Sequence, residues 1–384
     1  MKRKKIALFH PWIKSRGGSE KSVLEILKSR KYDVELYTWI YEESKTFEEF
    51  KKFKINVLAP KILRKISRTY LLKSLFLPIS LFSKIPLKKY EYFLISTSGV
   101  AEFITFRNYK PKKTYGYIYT PLRAASKDIV NWNFQNRYKN FLSRFFYLIA
   151  VKFYKILEQI AWKRIDKAIF ISELSLERAR IKGLLKNKKT EIIYPPVNVE
   201  KFNKLKTNEG NYFLYVSRFN KPKRQDILLK SWKIFSKNHP QYKLVLAGNI
   251  ENEKYFNEVK KLANETKNVE IKTNLNEIEI MNLYANCLAV VFVPFIEDFG
   301  IVPFEALATG KSLIAVDRGG YVQLINKNKQ FHKIKEVPSE EKMINEINIG
   351  LEKFLKSKVV PKKINLKEVS STNFIKKLEE TFIK

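Results

Sequence analysis

The sequence is poor in cysteine, in acidic residues and in long apolar runs. Its one cysteine, Cys287, precedes an apolar stretch, so a disulfide framework is excluded and a buried thiol in a reducing compartment is expected. The longest apolar runs, such as Phe145–Val151, fall far short of the roughly 20 residues that span a bilayer. The run Ile6–Phe9 is too short for a signal peptide, which favours a cytoplasmic location.

The acidic residues number 38 against 74 lysines and arginines, which gives a formal charge of +36. Such a field attracts nucleic acid, anionic lipid or phosphorylated substrates, although a lysine-rich surface is also often merely solvated. The sequence lacks zinc-ligand spacing and the signatures of nucleic-acid modules, so no nucleic-acid partner is expected. It also lacks a metal-binding cluster of carboxylates, so no metal is expected.

What the sequence does contain is an alternation of short β-branched or aromatic runs with longer amphipathic runs. This alternation is typical of βα units around parallel sheets, and a length of 384 residues favours two domains. The predicted strands are Lys5–Phe9, Val34–Thr38, Tyr92–Ile95, Thr114–Ile118, Ala168–Ile171 and Glu191–Tyr194, then Tyr212–Val216, Lys243–Ala247, Val269–Lys272, Leu288–Val293 and Ser312–Val316. The helices predicted between them include Ser19–Ser29, Asp226–Phe235, Glu277–Ala285 and Glu340–Leu355.

The break between the two strand series falls at Pro195-Pro196 and the polar segment after it. We therefore predict doubly wound domains at residues 1–200 and 205–363, with a final helix at about 364–384 that fits either domain. The basic and apolar stretch Lys61–Lys89 fits a segment in an anionic membrane interface or a helix packed on its own domain, and the net charge slightly favours the membrane. The stretch Tyr138–Arg164 is expected to be a long helix that packs into the core.

The segment Pro294–Gly310 joins a buried strand to a loop and to a helix predicted to start near Ile301. Gly300 permits close approach of the backbone to a ligand, and the N–H groups of the helix start favour phosphate. Pro303 falls in the first turn, where its missing N–H costs nothing. Glu305 is a carboxylate on an apolar helix, so it needs donors, either the two hydroxyls of a ribose or a local Lys or Arg.

Glu297, Glu305 and Gly319-Gly320 together resemble the signature of the retaining group 1 (family 4) glycosyltransferases, and especially of the bacterial GDP-mannose-dependent mannosyltransferases of O-antigen assembly. The resemblance implies the α/β GT-B fold, in which two Rossmann-like doubly wound domains face each other across a cleft. It implies that Glu297 is catalytic and that Glu305 binds the ribose. The donor-binding residues implied here are Glu297, Phe299, Gly300, Ile301 and Glu305.

Arg218 and Lys223 stand five residues apart in a loop between a predicted strand and helix, where two cations suit a pyrophosphate. The loop resembles Gly-Arg-x-x-x-x-Lys-Arg-x-Asp of the same family, with Ser217 in place of the glycine. The resemblance implies that Arg218 and Lys223 bind the donor and act in catalysis by stabilising the leaving pyrophosphate. Lys221 or Arg224 also fits this work. The backbone near Gly248 is expected to contact the donor base.

The first domain offers Gly17 and Gly18, a paired-glycine loop that resembles the family's first loop, near donor phosphate and acceptor. His10 ends the first strand, where sites form in open α/β sheets, although a structural histidine is equally expected. The segment from Ile118 to Arg123 resembles the family's Cys-His-Thr-Pro-x-Arg. Tyr119 replaces the histidine, so a phenol, not an imidazole, is expected near the sugar or acceptor, and Arg123 is expected to bind phosphate or acceptor.

The function we expect is retaining transfer of a hexose, mannose first, from a nucleotide-diphosphate sugar to a glycan or polyprenyl-linked acceptor. GDP-mannose is the first donor to test, and no other cofactor is expected. The net charge and the stretch Lys61–Lys89 also suggest a peripheral position on the inner face of the cytoplasmic membrane. The alternatives are a glucosyl- or galactosyltransferase that uses a UDP or ADP sugar, and an inactive sugar-nucleotide or glycan-binding partner, because Tyr119 and Gln323 depart from the pattern.

Overall fold

The computed structural model describes residues 3–60, 76–123, 126–295 and 297–383. The chain divides into two compact units: residues 1–196 with 371–384 form the first unit, and residues 197–370 form the second. Each unit has its own parallel β-sheet and its own helices. The observed boundary falls between Pro196 and Val197, a few residues before the boundary predicted between residues 200 and 205.

The sheet of the first unit has seven parallel strands in the order β5-β3-β1-β6-β7-β8-β9, and β2 and β4 form a separate parallel pair. The strands are β1 (Lys4–Phe9), β2 (Trp12–Ile13), β3 (Tyr32–Thr38), β4 (Ile40–Tyr41), β5 (Ile55–Val57), β6 (Tyr92–Thr97), β7 (Thr114–Ile118), β8 (Lys167–Phe170) and β9 (Lys189–Ile192). The central strands are buried from Ile6 to Phe9 in β1 and along the whole of β6, which explains the apolar runs Ile6–Phe9 and Tyr92–Ile95.

The α-helices described in the first unit are α1 (Gly18–Leu27), α2 (Phe76–Phe82), α3 (Lys127–Asn136), α4 (Phe141–Trp162) and α5 (Glu173–Ile181), with a C-terminal helix named below. The 3₁₀ turns are Glu43–Lys45, Glu48–Lys52, Leu87–Lys89 and Ala101–Phe106. Ser172 begins α5 with a reciprocal cap, since its side chain accepts from the Ser175 N–H at 3.1 Å and the Ser175 hydroxyl accepts from the Ser172 N–H at 3.2 Å.

The sheet of the second unit has six parallel strands in the order β12-β11-β10-β13-β14-β15. They are β10 (Tyr212–Val216), β11 (Lys243–Ala247), β12 (Val269–Lys272), β13 (Ala289–Phe292), β14 (Ser312–Val316) and β15 (Phe331–Ile334). Its helices are α6 (Val199–Asn203), α7 (Gln225–Asn238), α8 (Glu253–Asn264), α9 (Glu277–Asn286), α10 (Val302–Thr309), α11 (Val322–Ile325) and α12 (Glu340–Leu355), with 3₁₀ turns at Lys221–Lys223 and Lys367–Val369. The last helix of the chain, α13 (Ser371–Thr381), belongs to the first unit.

Both sheets reverse their direction of growth once. In the first unit the chain builds outward from β1 through β3 to β5 and returns to place β6 on the other side of β1. In the second unit it builds from β10 to β12 and returns to place β13 beside β10. In open α/β sheets, ligands bind at the carboxyl ends of the strands where such a reversal occurs. The loops after β1 and β6, and those after β10 and β13, are therefore the places to look for sites.

The final helix begins at Ser371 and not near Ile364, so the predicted start was wrong. The Ile364 N–H donates to the Leu307 carbonyl at 3.2 Å, and the Lys363 ammonium donates to the carbonyls of Asn203 and Leu205 at 2.6 Å. These bonds to other parts of the second unit hold Lys363 and Ile364, which precede the 3₁₀ turn at Lys367–Val369, in an irregular conformation and not in a helix.

The expectation that Tyr138–Arg164 is a helix that packs into the core holds for one face only. The helix forms as α4, but its buried residues are only Val151, Glu158, Ala161 and Trp162. One face of α4 meets the first unit, where Tyr147, Tyr154 and Leu157 are half-buried, and most of the other apolar side chains of the helix are exposed. Of the basic stretch Lys61–Lys89, residues 61–75 lie outside the described residues.

Candidate functional site

The loops that follow β10 and β13 bring Lys223 and Glu297 together. The Lys223 ammonium donates to the Glu297 carboxylate at 2.5 Å, although the residues are 74 positions apart. Both side chains are about one-fifth exposed. The Phe295 N–H donates to the Pro222 carbonyl at 2.7 Å and joins the two loops through the backbone. The pair thus lies at the reversal point of the second sheet.

The glycine pair Gly319-Gly320 holds the Glu297 loop in place. Glu297 and Gly319 form an isolated parallel β-bridge, and the Gly320 N–H donates to the Glu297 carbonyl at 2.9 Å. A Cβ atom at Gly320 would lie 1.9 Å from the Asp298 carbonyl oxygen, so only glycine permits this approach. The spacing between Glu297 and the glycines therefore has a structural cause inside the second unit.

Arg218 extends from the end of β10 and is more exposed than Lys223. Its guanidinium lies 3.1 Å from the Glu251 carboxylate, in a pair of which both members are about half exposed. Gln225 donates to the Arg218 carbonyl at 2.9 Å. At Gly248 a Cβ atom would lie 2.0 Å from the Ser217 carbonyl oxygen, so this glycine lets the loops after β10 and β11 meet. An exposed pair of this kind can exchange its carboxylate for a phosphate at little cost.

Lys221 and Arg224, the other cations of the loop, are held by carboxylates of their own. The Lys221 ammonium donates to Asp226 at 2.5 Å. The Arg224 guanidinium makes a two-bond contact with Glu336, at 2.8 and 2.9 Å, and both side chains are largely buried. A buried bidentate pair fixes geometry. Arg224 therefore anchors the start of α7. Lys221 stays about one-third exposed, while Lys223 is the cation of this loop that meets Glu297.

The start of α10 follows the Glu297 loop. Gly300 has a φ of +84°, which turns the chain into the helix, and Pro303 lies at its second position. Phe299 is buried and its ring stacks on Phe304 at 4.9 Å between centroids, so the backbone of this residue, and not its ring, is available to a ligand. The N–H groups at a helix start have no preceding intrahelical carbonyl and suit an anion.

Glu305 on α10 has a tyrosine as its partner. The Tyr284 hydroxyl, from α9, donates to the Glu305 carboxylate at 2.7 Å, so a phenol takes the part that was considered for a local Lys or Arg, and the ribose contact stays a prediction. Burial of the carboxyl group raises the pKa of Glu305 to about 7, and the bond from Tyr284 acts in the opposite direction. The Thr309 hydroxyl donates to the Glu305 backbone carbonyl at 2.8 Å, so this bond does not involve the carboxylate.

In the first unit, three neighbouring strands bring His10, Ser96 and Tyr119 together. His10 Nδ1 lies 2.9 Å from the Ser96 hydroxyl, which donates to the Tyr119 oxygen at 3.2 Å. The Tyr119 hydroxyl donates to the Ser19 carbonyl at 3.1 Å. The Ser19 carbonyl only accepts, so the Tyr119 hydroxyl donates to it and the Ser96 hydroxyl donates to Tyr119. The Ser96 oxygen can then only accept from His10, and Nδ1 must carry the imidazole proton.

His10 is 1% exposed, and burial lowers its pKa to about 4. Its Nε2 atom is buried without a hydrogen-bond partner in the structure. The imidazole is thus neutral, and its contacts orient Ser96 and Tyr119. Ser96 was not selected from the sequence, although its place just after the predicted strand Tyr92–Ile95 marks it as a residue at the site edge of the sheet.

The paired glycines Gly17 and Gly18 lie at the start of α1, and the carboxylate of Glu20 lies beside Gly17. Glu20 is buried, and it accepts from the hydroxyls of Ser15 at 2.5 Å and Ser19 at 2.8 Å. A Cβ atom at Gly17 would lie 2.6 Å from the Glu20 carboxylate. Glu20 was missed as a functional candidate, and its position in the first turn of a helix after a glycine pair was the signal.

Arg123 lies in a turn supported by a buried ion pair. The Leu122 N–H donates to the Glu158 carboxylate at 2.6 Å, and the Lys182 ammonium donates both to that carboxylate and, at 3.1 Å, to the Leu122 carbonyl. The Ser126 hydroxyl donates to the Arg123 carbonyl at 2.9 Å. The sequence Thr120-Pro121-Leu122-Arg123 is therefore held at the carboxyl end of β7 by α4 and α5.

Within the described ranges, no three or more His, Cys, Asp or Glu side chains are grouped so as to hold a metal ion. Arg218, Lys223 and the start of α10 stay the predicted sources of positive charge for a diphosphate.

Residues 197–367, almost the whole second unit, match the family model described as glycosyl transferases group 1. The alpha-1,3/1,6-mannosyltransferase ALG2 of Kluyveromyces lactis is 24% identical over 376 residues, which cover 84% of this chain and 71% of that protein. The human GDP-Man:Man(3)GlcNAc(2)-PP-Dol alpha-1,2-mannosyltransferase is 27% identical over 147 residues, or 34% of this chain and 30% of that protein.

Among solved structures, the Anabaena protein Alr3699/HepE in complex with UDP and glucose is similar with a TM-score of 0.65 at 16% identity, and the similarity covers both chains completely. The sucrose-phosphate synthase of Thermosynechococcus elongatus is similar with a TM-score of 0.67 at 18% identity, over 99% of this chain and 95% of that one. These likenesses confirm the GT-B fold with two Rossmann-like domains.

Proposed function

We propose that this chain, a glycosyltransferase with the GT-B fold, transfers mannose with retention from GDP-mannose to a lipid-linked glycan. The observation that carries the proposal is the meeting of Lys223 and Glu297 at the reversal point of the second sheet, beside the start of α10. The choice of mannose is supported by the relatives, which include ALG2 proteins of several eukaryotes and a GDP-mannose-dependent enzyme.

The second unit is proposed to hold the donor. Arg218 and Lys223 would donate to the pyrophosphate, together with the N–H groups of Gly300 and Ile301. Glu297 would then exchange part of its bond with Lys223 for hydroxyls of the sugar. Glu305 would accept from the ribose while it keeps its bond from Tyr284, and the backbone at Gly248 would lie near the base.

The proposed reaction is substitution at the anomeric carbon on the face that the leaving group occupies. The acceptor oxygen forms the new bond to this carbon, and the bond from the carbon to the β-phosphate oxygen breaks. The acceptor's proton passes to the leaving phosphate, so the products are the glycoside and a nucleoside diphosphate. Arg218 and Lys223 would stabilise the negative charge that develops on the phosphate, a task that requires no metal if both cations engage.

The first unit is proposed to bind the acceptor. Tyr119 and Arg123 would contact it, since both lie at the carboxyl end of β7. His10 is a positioning residue, because it is buried and acts through Ser96 and Tyr119. For a lipid-linked acceptor, the chain would work at the cytoplasmic face of a membrane.

A panel of nucleotides and donors tests the proposal. GDP is expected to raise the thermal unfolding midpoint more than UDP or ADP does, and GDP-mannose is expected to add one hexose to a lipid-linked acceptor extract in the presence of EDTA. NMR of the product is expected to show the anomeric configuration of the donor. Preference for UDP with glucose or galactose transfer would favour the second candidate, since a similar structure contains UDP and glucose. No protection by any nucleotide would refute the donor site.

A further inference from the structure

The outward face of α4 carries a continuous apolar stripe. Besides Phe141 at its first position, six large side chains on this helix are each more than half exposed: Leu142, Phe145, Phe146, Ile149, Phe153 and Ile156. We name these six residues the outer stripe. At 100° per residue they fall within about 100° of arc, so they form one strip along the helix. Single exposed apolar residues are ordinary, whereas a strip of six indicates a contact surface.

The opposite face fixes the helix on the first unit. Val151, Glu158, Ala161 and Trp162 are buried, and the ring of Tyr154 lies 6.0 Å from the ring of Phe103. The Glu158 carboxylate also holds the Leu122 N–H at 2.6 Å. The helix therefore cannot rotate to bury its outer stripe without loss of these contacts, and the stripe remains available to something outside the chain.

The exposed charged residues of α4 are all positive. Arg144, Lys152 and Lys155 are exposed on α4, and the only acidic residue of the helix, Glu158, is buried and paired with Lys182. The accessible surface of α4 is thus apolar and cationic, on a chain with a formal charge of +36. A helix with aromatic and aliphatic residues on one face and basic residues beside them is typical of binding to anionic lipid.

We propose that α4 docks the protein on an anionic membrane surface, with the outer stripe in the acyl boundary and its basic residues at the head groups. A second copy of this chain fits less well, because a two-fold contact through the stripe would bring Lys152 and Lys155 of both copies together. Among the described helices none is long and apolar enough to cross a bilayer. The 22 residues of α4, about 33 Å long, would lie along the surface.

Co-sedimentation of the full chain with vesicles tests this proposal. The probes are vesicles of phosphatidylcholine alone and of phosphatidylcholine with phosphatidylglycerol. We expect strong binding to the anionic vesicles only. The variant Ile149→Asn/Phe153→Asn/Ile156→Asn is expected to bind at least about tenfold more weakly, since each side chain loses its apolar burial. The variant Lys152→Gln/Lys155→Gln is expected to lose about fivefold per lysine at low salt.

Ile181→Asn is the matched control, because Ile181 is exposed in the same unit but lies on α5. It is expected to bind like the unchanged protein. Thermal unfolding midpoints within a few degrees of the unchanged protein would show that the α4 variants fold. Full vesicle binding by the folded triple variant would overturn the proposal. Concentration-dependent self-association that the triple variant abolishes, without vesicle binding, would assign the stripe to a second copy and overturn it equally. Neither result depends on which donor the enzyme uses.

Discussion

The Lys223 ammonium and the Glu297 carboxylate lie 2.5 Å apart at the ends of two neighbouring strands, β10 and β13. Each neutralises the other while no ligand is bound. A pyrophosphate beside Lys223 and a sugar beside Glu297 would offer both groups new partners at the same time. Under the proposed function, the pair would couple the recognition of the diphosphate to that of the sugar.

Lys223→Ala tests the cation of this pair. We expect kcat/KM for sugar transfer to fall by on the order of 10²–10³, because a charge directed at the leaving group is lost and Glu297 loses its bond from Lys223. Lys230→Ala is the matched control, since Lys230 is an exposed lysine of α7 that pairs with Glu340. The control should stay within about twofold of the unchanged enzyme. Equal activity of the two variants would refute the assignment of Lys223.

Gly320→Ala tests the support of the Glu297 loop. The added methyl group would lie 1.9 Å from the Asp298 carbonyl oxygen, and the backbone must move to admit it. We expect a loss of about 1–3 kcal/mol in stability and a clear loss of nucleotide affinity, measured by thermal unfolding with and without GDP. Gly183→Ala is the control, because its Cβ would meet nothing within 4 Å, although the φ of +67° costs some stability. Its GDP protection should be unchanged; equal loss in both would point to general destabilisation.

The raised pKa of Glu305, about 7, makes the stability of the protein depend on pH. Burial favours the neutral carboxyl in the folded state, so this group stabilises the fold most below pH 4.5 and loses that contribution as pH rises through 7. Glu305→Gln is neutral at every pH. We therefore expect the unfolding midpoint of the unchanged protein to fall relative to the variant between pH 5 and pH 8. A constant difference across this range would contradict the assignment.

The same carboxyl group links pH to nucleotide binding. A carboxylate accepts two ribose hydroxyls better than a neutral acid does, so binding should favour the ionised form and release a proton near pH 7. Tyr284→Phe removes a bond that lowers this pKa and should shift the dependence to higher pH. Calorimetry of GDP binding in two buffers of different ionisation enthalpy measures the proton release, which Glu305→Gln should abolish.

His10 makes stability depend on pH in the direction opposite to Glu305, since burial lowers the pKa of its imidazole to about 4. The unfolded chain takes up a proton near pH 6.5 that the folded chain refuses, so acid destabilises the fold progressively between pH 6.5 and pH 4, by about 3 kcal/mol at the lower limit. His10→Gln should remove this part of the pH dependence and retain a donor to Ser96. An unchanged slope of stability against pH would show that the imidazole is not held neutral.

Much of the architecture followed from local patterns. The strands Thr114–Ile118, Tyr212–Val216, Lys243–Ala247, Val269–Lys272 and Ser312–Val316 have the predicted bounds. Buried parallel strands are short apolar runs between turn residues, and this signal is contained in the chain itself. The strands Ile55–Val57 and Phe331–Ile334 were missed, because edge strands are half-exposed or interrupted by polar residues and owe their form to a neighbour in the sheet.

In the motif from Glu297 to Gly320, too, the sequence predicts the local elements and the tertiary structure decides the contacts. Its residue types and spacing indicated a strand, a loop and a helix start, and they carried the family resemblance. Only the tertiary structure decided that Lys223 is the partner of Glu297, that Tyr284 is the partner of Glu305, and that Arg224 belongs to Glu336. A sequence full of lysine and arginine offers many possible pairs, and distances between residues 21 to 112 positions apart are set by how strands are ordered in the sheet.

The sequence by itself determined that the chain builds two parallel α/β sheets, since strand periodicity is a local property. That its chemistry lies after β1, β7, β10 and β13 stays a prediction from the motifs and from glycine placement. Which side of a long apolar helix is buried depends on the elements that pack against it, and local sequence does not determine them. The stretch from Tyr138 to Arg164 has apolar residues on most of its circumference, so its pattern favoured the core. The tertiary structure supplies a packing surface for one face only, and the outer stripe of α4 is exposed for that reason.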